Sequence, residues 1–535
     1  MRSILKTTLP IGRMIVFSPV REELIASGID RVCNRGESSV KKYVLDIAVF
    51  VCGSMIMALE LTASRILAPY FGTSNMIWTG IIGIILLSLS TGYYLGGAIA
   101  DKKPEYRILG MIIAAAGLWI LLLPIVSTNL LEFVSAKTMD IRIGAVLSAV
   151  LLFLAPSMAL GMVSPFAVKL RINDVKALGK VAGRLSALST LGNIIGTFLA
   201  GFVLIPLMGS MQILSIIGLI LIGAAFILYV PPIPKTAAIL VVVVSLLTIG
   251  QISGGSRAAR NVLDADSQYG RIVIYDTLLS SGRPIRVFEI DSGYESAMFP
   301  DAPYELALEY TKYYDLMNYF HPNVQNTLMI GGCGYSYPKH YGRQYPDRNM
   351  DVVEIDPKVT EIAKELFHLE ESERLRIIHQ DGRIFLNETD RQYDVVLNDA
   401  FSGNTPPFHL ATKEAAERVY EALKEGGVYL TNIMGSLEGE NSAILDITIN
   451  TLRQVFPAVY LFPCYGEDDT EGVQNIMVVA TKEERRSGLE ESGNADLDAM
   501  IRNHYEKAAL RNQLVFTDDY APMDYYIRGV LYESQ

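Results

Sequence analysis

Cysteine and histidine are scarce in this sequence, and their spacing suits neither a disulfide framework nor a metal site. Among 535 residues there are four cysteines, without CxxC or paired spacing, and six histidines, without HExxH or i,i+4 pairing. We therefore expect no metal. The cysteines are Cys33, Cys52, Cys333 and Cys464, and the histidines include His321, His379 and His409.

Charged residues are also scarce. They make up 19% of the chain against 50% apolar residues, a composition too apolar for an ordinary soluble enzyme. Seven apolar runs are long enough to cross about 30 Å of hydrocarbon, which predicts a multi-pass α-helical membrane domain with the lipid bilayer as a partner. The first forty residues lack an apolar core with a cleavage site, so we expect no signal peptide. The runs are 43–61, 77–99, 108–126, 143–163, 185–205, 211–230 and 236–252.

Two acidic residues and a glycine pair lie within the apolar runs. Glu60 is inside the first run and Asp46 is near its end, and an ionisable group in a membrane is by default a functional hypothesis. The alternative is placement at the membrane surface, particularly for Asp46. Gly192 and Gly196 form a GxxxG pair, which predicts close packing of two helices.

Basic residues are outnumbered in the C-terminal part. Up to Lys235 the chain has 20 Lys and Arg against 11 Asp and Glu, and beyond it 26 against 46, so the net charges are +9 and −20. An acidic domain repels phosphate backbones and attracts cations. We therefore expect no nucleic acid partner and a small cationic substrate, although acidity can also serve solubility alone.

From about residue 262 the apolar runs give way to short strands and amphipathic helices. Segments 271–276 and 285–291 alternate around a turn and predict a β-hairpin, followed by a helix near 303–319. Five further strands, each separated by a helical stretch, predict a parallel, doubly wound α/β sheet. These strands are 327–332, 351–356, 375–381, 393–401 and 426–433.

Glycines and acidic residues lie at the carboxyl ends of these predicted strands. A glycine-rich turn at Gly331-Gly332 lets backbone N–H groups approach a ligand, and Glu354, 23 positions after Gly331, is placed to accept hydrogen bonds from two ribose hydroxyls. Asp381-Gly382 and Asp399 end the next two strands. Because ligands bind at the carboxyl ends of strands in open α/β sheets, these residues should meet in one crevice. The alternative for Glu354 and Asp381 is a solvated loop carboxylate.

The motifs at these positions resemble the spermidine synthases, or polyamine aminopropyltransferases. They are LMIGGCGYS, VVEIDPKV, HQDGRIFL, YDVVLNDAF and LKEGGVYL, with SQYGRIVIY before them and FTDDYAPMDYY at the end, and they cover most of 265–530. The apolar half resembles the multi-helix segment fused to such domains in bacterial proteins. The resemblance implies a Rossmann-like, methyltransferase-type domain with a small N-terminal β-hairpin subdomain. It also implies a decarboxylated S-adenosylmethionine or S-adenosylmethionine donor and an amine acceptor such as putrescine, and leaves a homodimer open.

The resemblance further implies a role for each matching position. Alkylammonium groups are protonated at neutral pH, so a positioned carboxylate that removes the proton supplies what an aminopropyl transfer lacks. The implied roles are Gly331 and Gly332 lining the donor, Glu354 holding the ribose, Asp381 and Gly382 meeting the adenine, Asp399 acting as the base, and Tyr269, Tyr304 and Asp301 lining the substrate pocket.

Two motifs depart from the family pattern. Spermidine synthases carry an Asp in the glycine turn, GGGDGG, where this chain has Gly334. They also carry two acids in the loop DSSDP, which here reads DAFSG from Asp399. Loss of a carboxylate that pairs with an ammonium predicts weaker selection for the aminopropyl donor and for a polyamine acceptor.

Two other functions fit the same residues. A methyltransferase that uses ordinary S-adenosylmethionine is less affected by the missing Asp at Gly334. A transporter or sensor, suggested by Glu60 and the glycine-rich runs, would use the soluble domain only to bind an adenosyl ligand or polyamine.

The patterns divide the chain into a tail (1–42), a membrane domain (43–252), a linker (253–265), a hairpin subdomain with its connecting helix (266–326) and a Rossmann-like domain (327–535).

Lys and Arg concentrate in the tail and after the second, fourth and sixth runs, which the positive-inside rule assigns to the cytoplasm. Seven spans would then put the C-terminal domain outside, where adenosylmethionine-type donors are not expected. We expect a cytoplasmic catalytic domain at the cell membrane and one miscounted span.

Overall fold

The computed structural model describes residues 19–530, apart from 73–74, 139, 173–177, 230–260, 280, 292, 402–405, 467–468, 485–487, 508 and 528. Its N-terminal half is a bundle of helices. They are α1 (Pro19–Phe71), α2 (Asn75–Lys102), α3 (Tyr106–Lys137), α4 (Ile141–Gly161), α5 (Val163–Arg171), α6 (Leu178–Leu199), a π-helical turn (Ala200–Leu204), α7 (Ile205–Leu207) and α8 (Ser210–Leu228).

Six helical segments in the described ranges are long and apolar enough to cross a membrane. They coincide with the first six apolar runs of the sequence, and α4 and α5 together form the fourth. The seventh run, 236–252, lies outside the described residues. The six segments are Lys42–Phe71, Ile77–Lys102, Tyr106–Lys137, Arg142–Arg171, Leu178–Leu207 and Ser210–Leu228.

The bundle packs around α1. A Cβ added at Gly192 or Gly196 would overlap with main-chain atoms of α1, so the GxxxG pair brings α6 directly against α1 as predicted. Asp46 is 9% exposed and forms ion pairs with Arg171 and Arg184. The side chain therefore lies among helices of the bundle, where two cations compensate its charge.

A five-stranded antiparallel sheet follows, with its strands paired in chain order. The predicted hairpin is the β2–β3 pair. Two assignments from the sequence are wrong. Residues 261–265, read as linker, belong to the edge strand β1, and 302–306, read as the start of a helix, form the edge strand β5. Edge strands need no apolar alternation, so neither gave a strand signal. The strands are β1 (Asn261–Asp266), β2 (Arg271–Leu278), β3 (Pro284–Ile290), β4 (Gly293–Phe299) and β5 (Ala302–Leu306).

Contacts between the bundle and this sheet are polar. The Arg65 guanidinium on α1 donates to the carbonyl oxygens of Ser267 (2.7 Å) and Gln268 (2.9 Å) in the turn after β1. The backbone N–H of Ser210, at the start of α8, donates to Asp266 Oδ2 at 2.9 Å. These bonds hold the β1–β2 turn against the bundle.

The C-terminal domain is built on a seven-stranded sheet in the order β11-β12-β10-β9-β6-β7-β8. The five strands predicted from the sequence are parallel, as expected, and β12 is antiparallel to both its neighbours. The sequence interpretation missed β11 and β12. The strands are β6 (Asn326–Ile330), β7 (Asn349–Glu354), β8 (Leu375–His379), β9 (Tyr393–Asn398), β10 (Leu423–Gly435), β11 (Ala458–Pro463) and β12 (Gln474–Thr481).

Helices cover both faces of this sheet, which is why its strands are buried on both sides. The helices are α9 (Glu309–Lys312), α10 (Met317–Phe320), α11 (Ser336–Gln344), α12 (Pro357–Leu366), α13 (Gly382–Glu388), α14 (Lys413–Ala422), α15 (Ala443–Leu452), α16 (Ala495–Arg502) and α17 (Met523–Tyr526).

The chain reverses its direction across the sheet between β6 and β9. These two strands are adjacent and parallel although β7 and β8 lie between them in the sequence. Ligands of open α/β sheets bind at such a switch point, outside the carboxyl ends of the strands. Here those ends carry Gly331 and Asp399, and the Asp399 N–H donates to the Ile330 carbonyl at 2.9 Å.

Candidate active site

A cavity of about 320 Å³ opens at the switch point, between the antiparallel sheet and the carboxyl ends of β6, β9 and β10. Its size is at the lower end of the range for small-molecule sites. None of the described residues that line it is Lys, Arg or His, and two are acidic. The lining includes Tyr294, Glu295, Tyr310, Gly331, Asp399 and Asn432.

Asp399 is the central carboxylate of this cavity. Its Oδ2 accepts a hydrogen bond from the Tyr310 hydroxyl at 3.1 Å, and Asn432 Nδ2 lies 3.4 Å from Oδ1. Burial raises the pKa of Asp399 to about 6, and the hydrogen bonds from its neighbours oppose this shift. A carboxylate with such a pKa is ionised at neutral pH and basic enough to take a proton from an amine during reaction.

The glycine turn after β6 forms one wall of the cavity. Gly331 has φ +93°, and a Cβ added there would lie 2.5 Å from the Asp399 carbonyl oxygen. A Cβ at Gly332 would lie 2.7 Å from the Tyr335 ring. Both glycines are therefore required by neighbouring protein atoms as well as by any ligand, since only glycine fits such close approaches.

Glu354, at the end of β7, accepts hydrogen bonds from three main-chain amides. The N–H groups of Gly332 (2.8 Å) and Cys333 (3.1 Å) donate to Oε2, and that of Asp356 (2.9 Å) donates to Oε1. Burial raises the pKa of Glu354, and these bonds lower it. A carboxylate has about four acceptor positions, so about one remains for a ribose hydroxyl rather than the two predicted.

Asp381 and Gly382 lie at the start of α13. Asp381 Oδ1 caps the helix by accepting from the N–H groups of Arg383 (2.8 Å) and Ile384 (3.1 Å), while Oδ2 lies 3.3 Å from His409 Nε2. A Cβ on Gly382 would lie 2.5 Å from Ile330, so glycine lets α13 pack against β6. The sequence predicted an adenine contact here, and the helix cap is a second role it did not predict.

Tyr269 lies beside the strand-end carboxylates rather than in the lining of the cavity. Burial raises its pKa, and the negative charges of Asp356, Asp381 and Glu354 raise it further. The turn that carries Tyr269 is the one that Arg65 holds. The structure therefore brings Tyr269 next to the residues predicted to bind adenosine.

Tyr304 and Asp301 are not at this cavity, and their assignment to its lining is wrong. Tyr304 is on β5 and lines a separate cavity of about 500 Å³, with the Arg343 guanidinium 5.3 Å from its ring centre. Asp301 is 69% exposed in the β4–β5 turn, where Arg283 Nη2 lies 3.3 Å from its Oδ1.

The lining residues that had not been identified from the sequence include Glu295, Tyr310, Asn432 and Tyr465. For Glu295 a signal existed, because an acidic residue opens the otherwise uncharged run ESAMF. The other three lie on elements that are far apart in the sequence, so residue spacing does not reveal that these elements come together.

The sheet order, the glycine turn and the strand-end carboxylates define a Rossmann-like, methyltransferase-type α/β domain. Residues 314–486 match the family model of the spermine/spermidine synthase domain. This part of the chain is therefore similar to the spermidine synthase family, in agreement with the resemblance of the motifs.

Individual proteins are similar to parts of this chain. A polyamine aminopropyltransferase of Vibrio vulnificus is 30% identical over 184 residues, or 34% of this chain and 59% of the relative. A probable polyamine aminopropyl transferase of Bifidobacterium longum is 28% identical over 219 residues, or 38% and 49%. The chain thus spans about half to three fifths of these two relatives. A solved probable spermidine synthase of Corynebacterium glutamicum has a TM-score of 0.39 and 18% identity, covering 50% of this chain and 93% of its own.

Proposed function

We propose that the protein is a membrane-bound aminopropyltransferase that moves the aminopropyl group of decarboxylated S-adenosylmethionine to a small amine such as putrescine. The observation that carries the proposal is Asp399, a buried carboxylate with a pKa of about 6 at the switch point of a spermidine-synthase-type domain. The named activities of the relatives from Vibrio vulnificus and Bifidobacterium longum support it.

The reaction needs a neutral amine beside an electrophilic carbon. Asp399 takes the proton of the acceptor ammonium, and the freed nitrogen lone pair attacks the aminopropyl carbon bound to the sulfonium. A carbon–nitrogen bond forms as the carbon–sulfur bond breaks, and its electrons stay on sulfur to give a neutral thioether. Tyr310 and Asn432 hold the carboxylate in one orientation, which keeps the base aligned.

The adenosine of the donor fits beside the cavity, along Glu354, Asp381 and Tyr269. Glu354 has an acceptor position left for a ribose hydroxyl, and the second oxygen of Asp381 makes no bond to its helix. The Tyr269 ring, 44% exposed, is available to cover a base. The reactive sulfonium would then face Asp399 across the glycine turn.

The acidity of the domain favours cationic substrates. The segment beyond Lys235 has a net charge of −20, and the described lining of the cavity has two acids without a basic residue. Such a field raises the local concentration of a polyamine and of a sulfonium donor.

For location, we propose that the helical half crosses the cell membrane and the C-terminal domain lies in the cytoplasm. The six apolar segments support the first part. With the basic tail inside, the six segments of the described ranges place the end of α8 on the cytoplasmic side.

The second candidate is a methyltransferase, and Gly334 favours it. A Cβ at Gly334 would lie 2.7 Å from Ser296 Oγ, so the turn has no space for an acidic side chain that could hold the aminopropyl ammonium. A transfer of a methyl group needs no such contact.

One experiment compares the candidates. The full-length protein in detergent is incubated with putrescine and either donor, and the thioether and amine products are separated by chromatography. We expect spermidine and methylthioadenosine from the decarboxylated donor only. Asp399→Asn should slow the formation of both products by roughly 10²–10⁴, whereas Asp390→Asn, a matched change in an exposed loop, should not. Turnover of S-adenosylmethionine to S-adenosylhomocysteine would instead select the methyltransferase.

A further inference from the structure

Glu295 is an acidic residue in the cavity that the proposed mechanism does not use. It lies on β4 and lines the same space as Asp399. Its Oε1 is buried and has no hydrogen-bond partner among the described residues. A buried carboxyl oxygen without a partner is costly, so a group that satisfies it is expected from a ligand.

The surroundings of Glu295 are negative. Burial raises its pKa well above the ordinary value, and the charges of Asp399, Asp291 and Glu354 raise it further. No Lys, Arg or His of the described lining opposes them. The negative surroundings therefore favour a cationic group beside the Glu295 carboxyl.

The position of Glu295 is set by the packing of the glycine turn on β4. A Cβ at Gly334 would lie 2.7 Å from the Oγ and 3.0 Å from the Cβ of Ser296, the residue after Glu295. The turn itself has no room for a side chain on this wall. The carboxylate on this side of the cavity consequently belongs to Glu295 of β4.

We propose that Glu295 binds a primary alkylammonium group that does not react, while Asp399 serves the amine that does. The inference rests on the proposed function and deepens it, because it makes two cationic nitrogens the feature that the cavity selects. The non-reacting ammonium belongs either to the aminopropyl chain of the donor or to the far end of a diamine acceptor. A charge-assisted hydrogen bond is strong enough to discriminate against substrates that lack the ammonium.

Binding of four probes to the full-length protein tests this assignment by calorimetry. Methylthioadenosine has no ammonium, decarboxylated S-adenosylmethionine has the donor ammonium, and putrescine and butylamine differ only in the second nitrogen. If the non-reacting ammonium belongs to the donor, we expect Glu295→Gln to weaken the binding of decarboxylated S-adenosylmethionine at least tenfold. If the acceptor is the source, the variant should lose the preference for putrescine over butylamine. Methylthioadenosine should bind unchanged in either case.

Controls separate this inference from the proposed function. Glu361→Gln, on the exposed face of α12, should leave all four affinities unchanged. If Glu295→Gln binds every probe like the wild type, the inference is wrong while the function stands. If that variant does not fold, the wild-type protein tests the inference instead. The inference is overturned if the wild type binds putrescine and butylamine equally and also binds methylthioadenosine and decarboxylated S-adenosylmethionine equally. A wild type that does not bind methylthioadenosine refutes the proposed function.

Discussion

The acid limb of the pH profile should report the ionisation of Asp399. An ordinary aspartate titrates near 3.8, but burial raises the pKa of this one to about 6. The base must be ionised to accept a proton, so activity is retained above the pKa and lost as the pH falls through it. About 90% of Asp399 is ionised at pH 7 and about 10% at pH 5, and below the pKa the rate should fall about tenfold per pH unit.

Removing the hydroxyl of Tyr310 should shift the acid limb of the pH profile. It donates to Asp399 Oδ2 at 3.1 Å and stabilises the ionised form. A hydrogen bond to a charged group stabilises that group, so Tyr310→Phe should raise the pKa of Asp399. The variant should therefore lose activity at pH 7 and recover part of it at pH 8.

The assay is kcat/KM for the transfer between pH 4.5 and 8.5 with the full-length protein in detergent. Tyr341→Phe is the matched control, because its buried hydroxyl bonds to Thr327 and not to the cavity. A wild-type limb near pH 4, or a Tyr310→Phe limb that does not move, would refute the assignment of Asp399 as a buried base. Asp399→Asn should lower kcat by roughly 10²–10⁴ and remove the limb.

Three further predictions concern stability, measured as the midpoint of thermal unfolding. Gly331→Ala puts a Cβ 2.5 Å from the Asp399 carbonyl at φ +93°, so it should cost about 1–3 kcal/mol and reduce donor binding. Gly196→Leu should separate α6 from α1 and lower the midpoint, while Gly223→Leu, at an open position, should not. Lys507→Met leaves the fully buried Asp446 without its cation, 2.6 Å away, and should cost about 3–5 kcal/mol, with recovery when Asp446→Asn is added.

The sequence was sufficient for the elements whose signals are local. Apolar runs identified the helices of the bundle because their length and composition suffice to indicate a spanning helix. Strand and helix periods identified the five parallel strands, and the Gly331 turn, Glu354 and Asp399 were located because each directly follows a strand. These features depend on neighbours in the chain, so spacing reveals them.

The tertiary structure decided which of these residues share a site. Tyr304 and Asp301 had the right residue types, but Tyr304 lines a separate cavity and Asp301 pairs with Arg283 in an exposed turn. Glu295 and Tyr310 share a cavity with Asp399 across separations of about a hundred residues, and only tertiary packing brings them together. The burial of Asp399, which raises its pKa, follows from the same packing. Local pattern therefore determined the elements, and long-range contact determined the chemistry of the cavity.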